Sequence, residues 1–183
     1  MTLQTCPWWF IGSFDNPLRH FIHSPDQILS GLVHEGQFIL DVGCGMGYFT
    51  IPLARMVGSS GMVIAADLQE QMLAGVRKRA ARAGVLSRIQ FQRCAPDHIG
   101  VDQQVDFALA FWMVHEIRNQ VVFFEEIRQI LRPGAHLLIV EPIIHVSEAR
   151  FQQIIAIARG QGFNLFSGPR VRFSRSFLIS HGG

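Results

Sequence analysis

The sequence predicts an α/β fold, a doubly wound and largely parallel sheet in a single domain. Short apolar runs alternate with longer stretches of helical spacing from Phe38 onward, the pattern of repeated βα units. A glycine-rich turn, Gly43-Cys44-Gly45-Met46-Gly47, follows the first apolar run. The chain closes on two apolar runs separated by Gly168-Pro169, which predicts an antiparallel pair at its end.

Each element has a local reason. Ser24-Pro25-Asp26 offers an N-cap with proline at the first helical position, so a short helix to about Leu32 is expected. Phe38-Ile39-Leu40-Asp41 reads as the first strand. Gly47 to Val57 reads as a helix carrying Phe49, Leu53 and Val57, with Pro52 tolerated only in its first turn. Met62 to Asp67 is the second strand. Met72, Leu73, Val76, Ala80 and Ala83 mark the next helix, and Gly84 stands where a left-handed C-cap is wanted. Arg88 to Gln92, Val105 to Phe111 and Ala135 to Glu141 are further strands, with a helix from about Gln120 to Leu131 before an Arg132-Pro133-Gly134 turn. Ser147 caps a helix bearing Phe151, Ile154, Ile155 and Ala158 and ending at Gly160. Phe163 to Phe166 and Val171 to Ile179 form the final pair.

Composition narrows the function classes. The 183 residues, 49% hydrophobic with 15 Phe, supply one substantial core. No stretch approaches the roughly 20 apolar residues of a membrane span, and the N-terminus lacks the pattern of a signal peptide, so a cytoplasmic protein is expected. Cys6, Cys44 and Cys94 are widely spaced and odd in number, which fits neither a disulfide framework nor a zinc site. Sixteen basic residues are scattered among 14 acidic ones for a net charge of +2, without a basic tract for nucleic acid.

The glycine turn selects a ligand. Glycine permits tight turning and close approach of backbone to a bound molecule at a strand end. A dinucleotide fingerprint would place its third glycine at position 48, where this chain has Tyr48, with the glycine one residue early at Gly47. Asp41 at the mouth of the turn would repel a pyrophosphate and attract a cationic amine or sulfonium. Asp67, ending the second strand, either accepts the hydroxyls of a ribose or N-caps the helix that follows; paired with the turn, the ribose role is favoured.

At these residues the chain resembles the class I S-adenosylmethionine-dependent methyltransferases. Ile39-Leu40-Asp41-Val42-Gly43-Cys44-Gly45-Met46-Gly47 matches their first motif. Asp67, then Val105-Asp106-Phe107-Ala108-Leu109-Ala110, then Leu131-Arg132-Pro133-Gly134 leading into Leu137 to Pro142 follow in family order, across roughly residues 25 to 180. The resemblance implies a Rossmann-like seven-stranded sheet in the order 3-2-1-4-5-7-6 with strand 7 antiparallel, formed by residues 24–183 behind an N-terminal aromatic segment, 1–23. It implies that S-adenosylmethionine is the cofactor. Asp41 and the backbone of Gly43, Cys44, Gly45 and Gly47 would hold its methionine moiety, Asp67 its ribose, and Leu68 and Met72 would lie near the nucleoside. Adenine would sit against Cys94-Ala95-Pro96. Many relatives carry an Asp where this chain has Ala95, which leaves adenine to backbone groups or to Asp97. Phe111 and Trp112 would complete the cofactor set, in the segment expected to face the methyl group. Cys44 reads as packing, not as a nucleophile.

Methyl transfer from a sulfonium demands placement more than acid or base help, because the leaving group is neutral. His115, in Phe111-Trp112-Met113-Val114-His115-Glu116, either takes a proton from the acceptor or opens the next helix as scaffold with Glu116. That segment lacks the Asn/Asp-Pro-Pro-aromatic motif of adenine amino methylation and the Pro-Cys nucleophile of cytosine-5 enzymes, so a small-molecule acceptor is expected and nucleic acid is not. His20-x-x-His23 has metal-like spacing without a third ligand nearby, and no metal is assigned. Trp8, Trp9, Phe10 and Phe14 form either a flap or ordinary packing. A homo-oligomer is compatible with the sequence. The rival to an enzyme is a catalytically silent S-adenosylmethionine-binding sensor or partner subunit.

Overall fold

The computed structural model describes residues 22–182. The aromatic segment Trp8 to Phe14, Cys6 and His20 lie outside the described residues. Seven strands form one sheet: β1 (Phe38–Val42), β2 (Met62–Asp67), β3 (Ile89–Arg93), β4 (Val105–Phe111), β5 (Leu131–Pro142), β6 (Asn164–Ser167) and β7 (Ser174–Ser180). Their order is β3-β2-β1-β4-β5-β7-β6. β1 to β5 pair in parallel, and β7 runs antiparallel between β5 and β6. The helices are α1 (Pro25–Ile28), α2 (Thr50–Met56), α3 (Glu70–Arg82), α4 (Gln120–Ile130) and α5 (Glu148–Gly160).

The central strands read as unbroken apolar runs because both of their faces are covered. Alternation sorts the side chains into two cores. Ile39, Phe107, Leu109, Leu138 and Val140 pack with Leu53 of α2 and Leu73 and Val76 of α3. Leu40, Ala108, Ala110, Leu137 and Ile139 pack with Phe124 and Ile127 of α4 and Ile154 of α5 on the other face. Each of these strand side chains is fully buried or nearly so. Truncating a fully buried one such as Leu137 to alanine typically costs about 2–5 kcal/mol.

Helix ends follow side-chain chemistry in the later part of the chain. Ser147 Oγ accepts a hydrogen bond from Arg150 N at 3.2 Å to start α5, and Asn119 Oδ1 accepts from Val122 N at 3.3 Å to start α4. Gly84, with φ +70°, follows the end of α3 as expected.

Four boundaries depart from the sequence expectation. β7 begins at Ser174 and not at Val171, because Phe173 with φ +55° turns the chain just before it. α1 is a single turn that stops at Ile28 instead of continuing to Leu32, and Gly31 with φ +74° turns the chain away; the Ser24 side chain makes no capping bond. α2 begins at Thr50, because Gly43, Gly45 and Gly47 all take positive φ and keep the preceding residues coiled as a loop. The expected Arg132-Pro133-Gly134 turn lies inside β5. Val105 pairs with Leu131 and Phe107 already with His136, so this stretch bulges from the ladder. Pro133 has no N–H to donate and Gly134 has φ +79°, so a regular ladder cannot form there. Among the described residues no helix is long and apolar enough to cross a membrane.

Candidate functional site

The sheet order reverses between β1 and β4, and ligands of open α/β sheets bind outside the carboxyl ends of the strands at such a switch point. Two acids mark it. Asp41 is buried in β1, and Thr50 Oγ1, at the start of α2, donates to its Oδ2 at 2.6 Å. Asp67 ends β2; its Oδ2 accepts from Gly45 N at 2.9 Å and its Oδ1 from Gln69 N at 2.9 Å. Asp67 therefore ties the glycine loop to the entrance of α3, while the helix N-cap itself is Gln69. Among the described residues no basic side chain pairs with either carboxylate.

Burial without a cation raises both carboxyl groups. Desolvation drives Asp41 to about 7, the Thr50 hydrogen bond opposing it and the neighbouring Asp67 charge adding to it. Asp67 is raised by burial, against the stabilising N–H groups of Gln69, Gly45 and Leu68. A cation placed here would relieve both.

The glycines of the loop divide by role. A Cβ on Gly43 would stand 2.8 Å from the Met113 side chain, and one on Gly47 would stand 3.1 Å from Val76, so these two admit protein packing. Gly45, at φ +52°, faces no heavy atom within 4 Å, so its side of the loop is open beside Asp67. Met46 packs on Gly75 of α3, where a Cβ would meet its sulfur at 2.6 Å. Only Gly45 of the three thus presents bare backbone to open space among the described residues.

The remaining expected residues are spread around this loop. Leu68 is half-buried, but Met72 is wholly buried and presents no surface to the cleft. Cys44 is buried and its thiol pushed well up by burial and by the Asp41 and Asp67 charges, which suits packing and not thiolate chemistry. Cys94 is half-buried and raised to about 12 by burial, Asp67 and Glu126. Ala95 is exposed and enters a tight turn with His98, donating from Ala95 N to His98 O at 2.8 Å. Glu126 of α4 braces that turn through His98 Nδ1 and through Ile99 N at 2.7 Å. Cys94 N is likewise committed, to Asp67 O at 2.9 Å.

Phe111 and Trp112 join an aromatic group over the loop. Trp112 has φ +59°, a left-handed conformation rare for a large residue, and is fixed there by Trp112 N donating to Val140 O at 2.7 Å and Nε1 donating to Ser174 Oγ at 2.9 Å. Phe111 stacks tilted on Phe49 with centroids 4.4 Å apart. His23 is buried edge-on to Trp112 at 4.9 Å, its Nε2 within 2.9 Å of Arg172 O, and Tyr48 Oη donates to His23 O at 2.8 Å. His23, the described member of the His20-x-x-His23 spacing, packs on Phe111 and Trp112. Among the described residues no group of three His, Cys, Asp or Glu could hold a metal ion.

His115 stands on a 3-10 turn, Val114–Glu116, just past β4. Its Nδ1 meets Glu141 Oε2, and Glu141 Oε1 accepts from Val114 N at 2.9 Å. Sequence reading missed Thr50 and Glu141. For Glu141 a signal existed, since it is an acid near the carboxyl end of an apolar strand, as Asp41 and Asp67 are.

Comparison with known proteins bears on this geometry. Residues 39–134 match a family model described as a methyltransferase domain. The chain is 30% identical over 110 residues to a ubiquinone/menaquinone biosynthesis C-methyltransferase of Cellvibrio japonicus, covering 60% of this chain and 44% of that protein. It is 26% identical over 140 residues to the protein of that name from Haemophilus ducreyi, covering 76% and 52%. The match spans about half the length of these relatives. Among solved structures, a SAM-dependent methyltransferase from Aquifex aeolicus superposes with a TM-score of 0.81 at 23% identity, covering 96% of this chain and 97% of that one. A protein from Methanococcus maripaludis described as a putative S-adenosyl-L-methionine-dependent methyltransferase gives 0.80 at 17%, covering 100% and 98%. These two share the fold across nearly their whole lengths.

Proposed function

Since this chain belongs to the class I S-adenosylmethionine-dependent methyltransferases, we propose that it transfers the cofactor's methyl group to a small, largely apolar acceptor. The buried pair of Asp41 and Asp67, met by no basic side chain among the described residues, carries this reading beside the open face of Gly45. A nucleoside bearing an amine and a sulfonium fits that cradle; a dinucleotide diphosphate does not. The bound cofactor supplies an electrophilic methyl group on a sulfur that leaves as a neutral thioether.

The protein supplies placement. Asp41 would meet the positive methionine end, with Thr50 donating to its Oδ2 and the loop backbone beside it. Asp67 keeps lone pairs beyond those used by Gly45 and Gln69, and these would accept the ribose hydroxyls. The Asp97 carboxylate would accept from the adenine amino group. Trp112, packed on the buried Phe111 and Phe49, offers an apolar side chain beside the glycine loop, where water would compete with the acceptor. The activity for which the two relatives are named, C-methylation in ubiquinone and menaquinone biosynthesis, supports an acceptor of that kind.

Isothermal calorimetry with S-adenosylmethionine and S-adenosylhomocysteine tests the reading. Both are expected to bind in the micromolar range common for enzyme ligands. Asp67→Ala is expected to weaken both by at least about tenfold, or ~1.4 kcal/mol. Absence of binding by either would end the proposal.

A further inference from the structure

We propose that His115, oriented by Glu141, is the proton acceptor for a hydroxyl-bearing methyl acceptor, a phenol, hydroquinone or enol whose O–H must ionise before attack. This rests on the methyl-transfer reading above.

Asp41 and Asp67 serve the cofactor side of the cleft, but Glu141 has no such duty. It is completely buried. One oxygen accepts from Val114 N and the other meets His115 Nδ1. A carboxylate at Nδ1 keeps the ring proton on that nitrogen, leaving the Nε2 lone pair as a base. Gln120 Nε2 donates to Val114 O at 2.8 Å, and its amide orientation follows because a carbonyl only accepts. The Val114 peptide units are therefore clamped on both sides by buried side chains, and the 3-10 turn cannot easily rotate His115 away. Met113, two residues earlier, lies against Gly43, so the imidazole follows directly on the segment that borders the cofactor loop.

A turn that needed only a cap for Val114 N–H would be served by a neutral amide, without the desolvation cost of a buried carboxylate. The ionisable pair answers a different demand. The groups facing the half-buried ring are Glu141 from β5, Glu116 on its own turn, Arg150 from α5, and His145, stacked at 6.5 Å after β5. Burial and Arg150 disfavour the imidazolium, but Glu141 and Glu116 outweigh them and raise the ring above its ordinary pKa. A proton taken by Nε2 is thus held next to a carboxylate that stabilises it.

In the step, Nε2 accepts the acceptor's O–H proton, and the freed electron pair forms the new bond to the methyl carbon, from oxygen or from the ring carbon conjugated with it. The pair of the breaking S–C bond returns to sulfur. The imidazolium then loses its proton to solvent. On the carbon route His115 returns its proton to the oxygen instead, and the ring C–H proton goes to solvent, so one proton is released either way.

The test uses the full chain loaded with S-adenosylhomocysteine and 4-nitrocatechol, a phenol whose ionised form is read optically, from about pH 5 to 9. The bound probe is expected to ionise at lower pH than the free probe. His115→Gln is expected to move that midpoint up by about a unit, tenfold in ionisation constant, with S-adenosylhomocysteine affinity held within about twofold. Glu141→Gln is expected to lower the pKa of the His115 ring by NMR and to move the probe midpoint in the same direction as His115→Gln, a change that a purely structural role would not produce. An identical midpoint in the native protein and His115→Gln, or failure of 4-nitrocatechol to bind the loaded protein, overturns the proposal. Failure of S-adenosylhomocysteine itself to bind would instead remove the cofactor reading on which it stands.

Discussion

At Asp41 burial couples folding to pH, and in the proposed reading to the ligand as well. Desolvation raises it to about 7, so between the ordinary carboxylate range and neutrality the folded protein keeps a proton that the unfolded chain has released. Stability therefore falls as pH rises through that window and levels off above about 7, once both states are ionised. Asp41→Asn is expected to flatten this part of the curve in urea melts taken at several pH values. Binding runs the opposite way: a cationic ligand needs the ionised carboxylate, so S-adenosylmethionine affinity is expected to rise toward pH 7 with proton release, and Asp41→Asn to abolish that slope. An unchanged slope in the variant would show that another group holds the charge. The sequence showed the acid and its loop, but not the burial that shifts it or Thr50 as its partner, because both depend on how α2 meets β1.

At the scale of the element, the glycine loop separates fold from function in a way that motif spacing conceals. All three glycines are left-handed, but Gly43 and Gly47 also have Met113 and Val76 against them, whereas a Cβ on Gly45 would meet no atom of the described residues within 4 Å. Gly43→Ala is expected to lower Tm strongly, since its Cβ would overlap Met113. Gly45→Ala meets no protein atom and should cost only the roughly 1–2 kcal/mol of a left-handed non-glycine residue, while weakening S-adenosylhomocysteine binding at least about tenfold. Equal stability losses with equal binding would refute that division. The 3-10 turn after β4 teaches the same lesson. His115 and Glu141 each stand near the end of an apolar strand in the sequence, but their contact entered only when β4 and β5 were paired, bringing together residues 26 apart in the chain.

Across the whole molecule, the two ends of the sheet carry different duties. Asp41 and Asp67 lie at the carboxyl ends of their strands. At the opposite end Asp106 Oδ2 accepts from Phe38 N at 2.8 Å and Oδ1 pairs with Arg132, tying β1 to β4 and β5. Asp106→Ala should leave Phe38 N without its acceptor and lower stability by about 1–3 kcal/mol, with S-adenosylhomocysteine affinity unchanged by calorimetry. A loss of affinity would mean that the ends are coupled. The strand alternation, the antiparallel close and the Asp41 to Gly47 loop were legible in the linear sequence because apolar period and glycine spacing are local consequences of backbone geometry. The sheet order came with the resemblance to a known family. The length of α1, the bulge in β5, the left-handed Trp112 and the Glu141 to His115 contact were settled only by tertiary structure. Each depends on which buried groups meet across the fold and on how their desolvation is offset, and residues distant in the chain determine both.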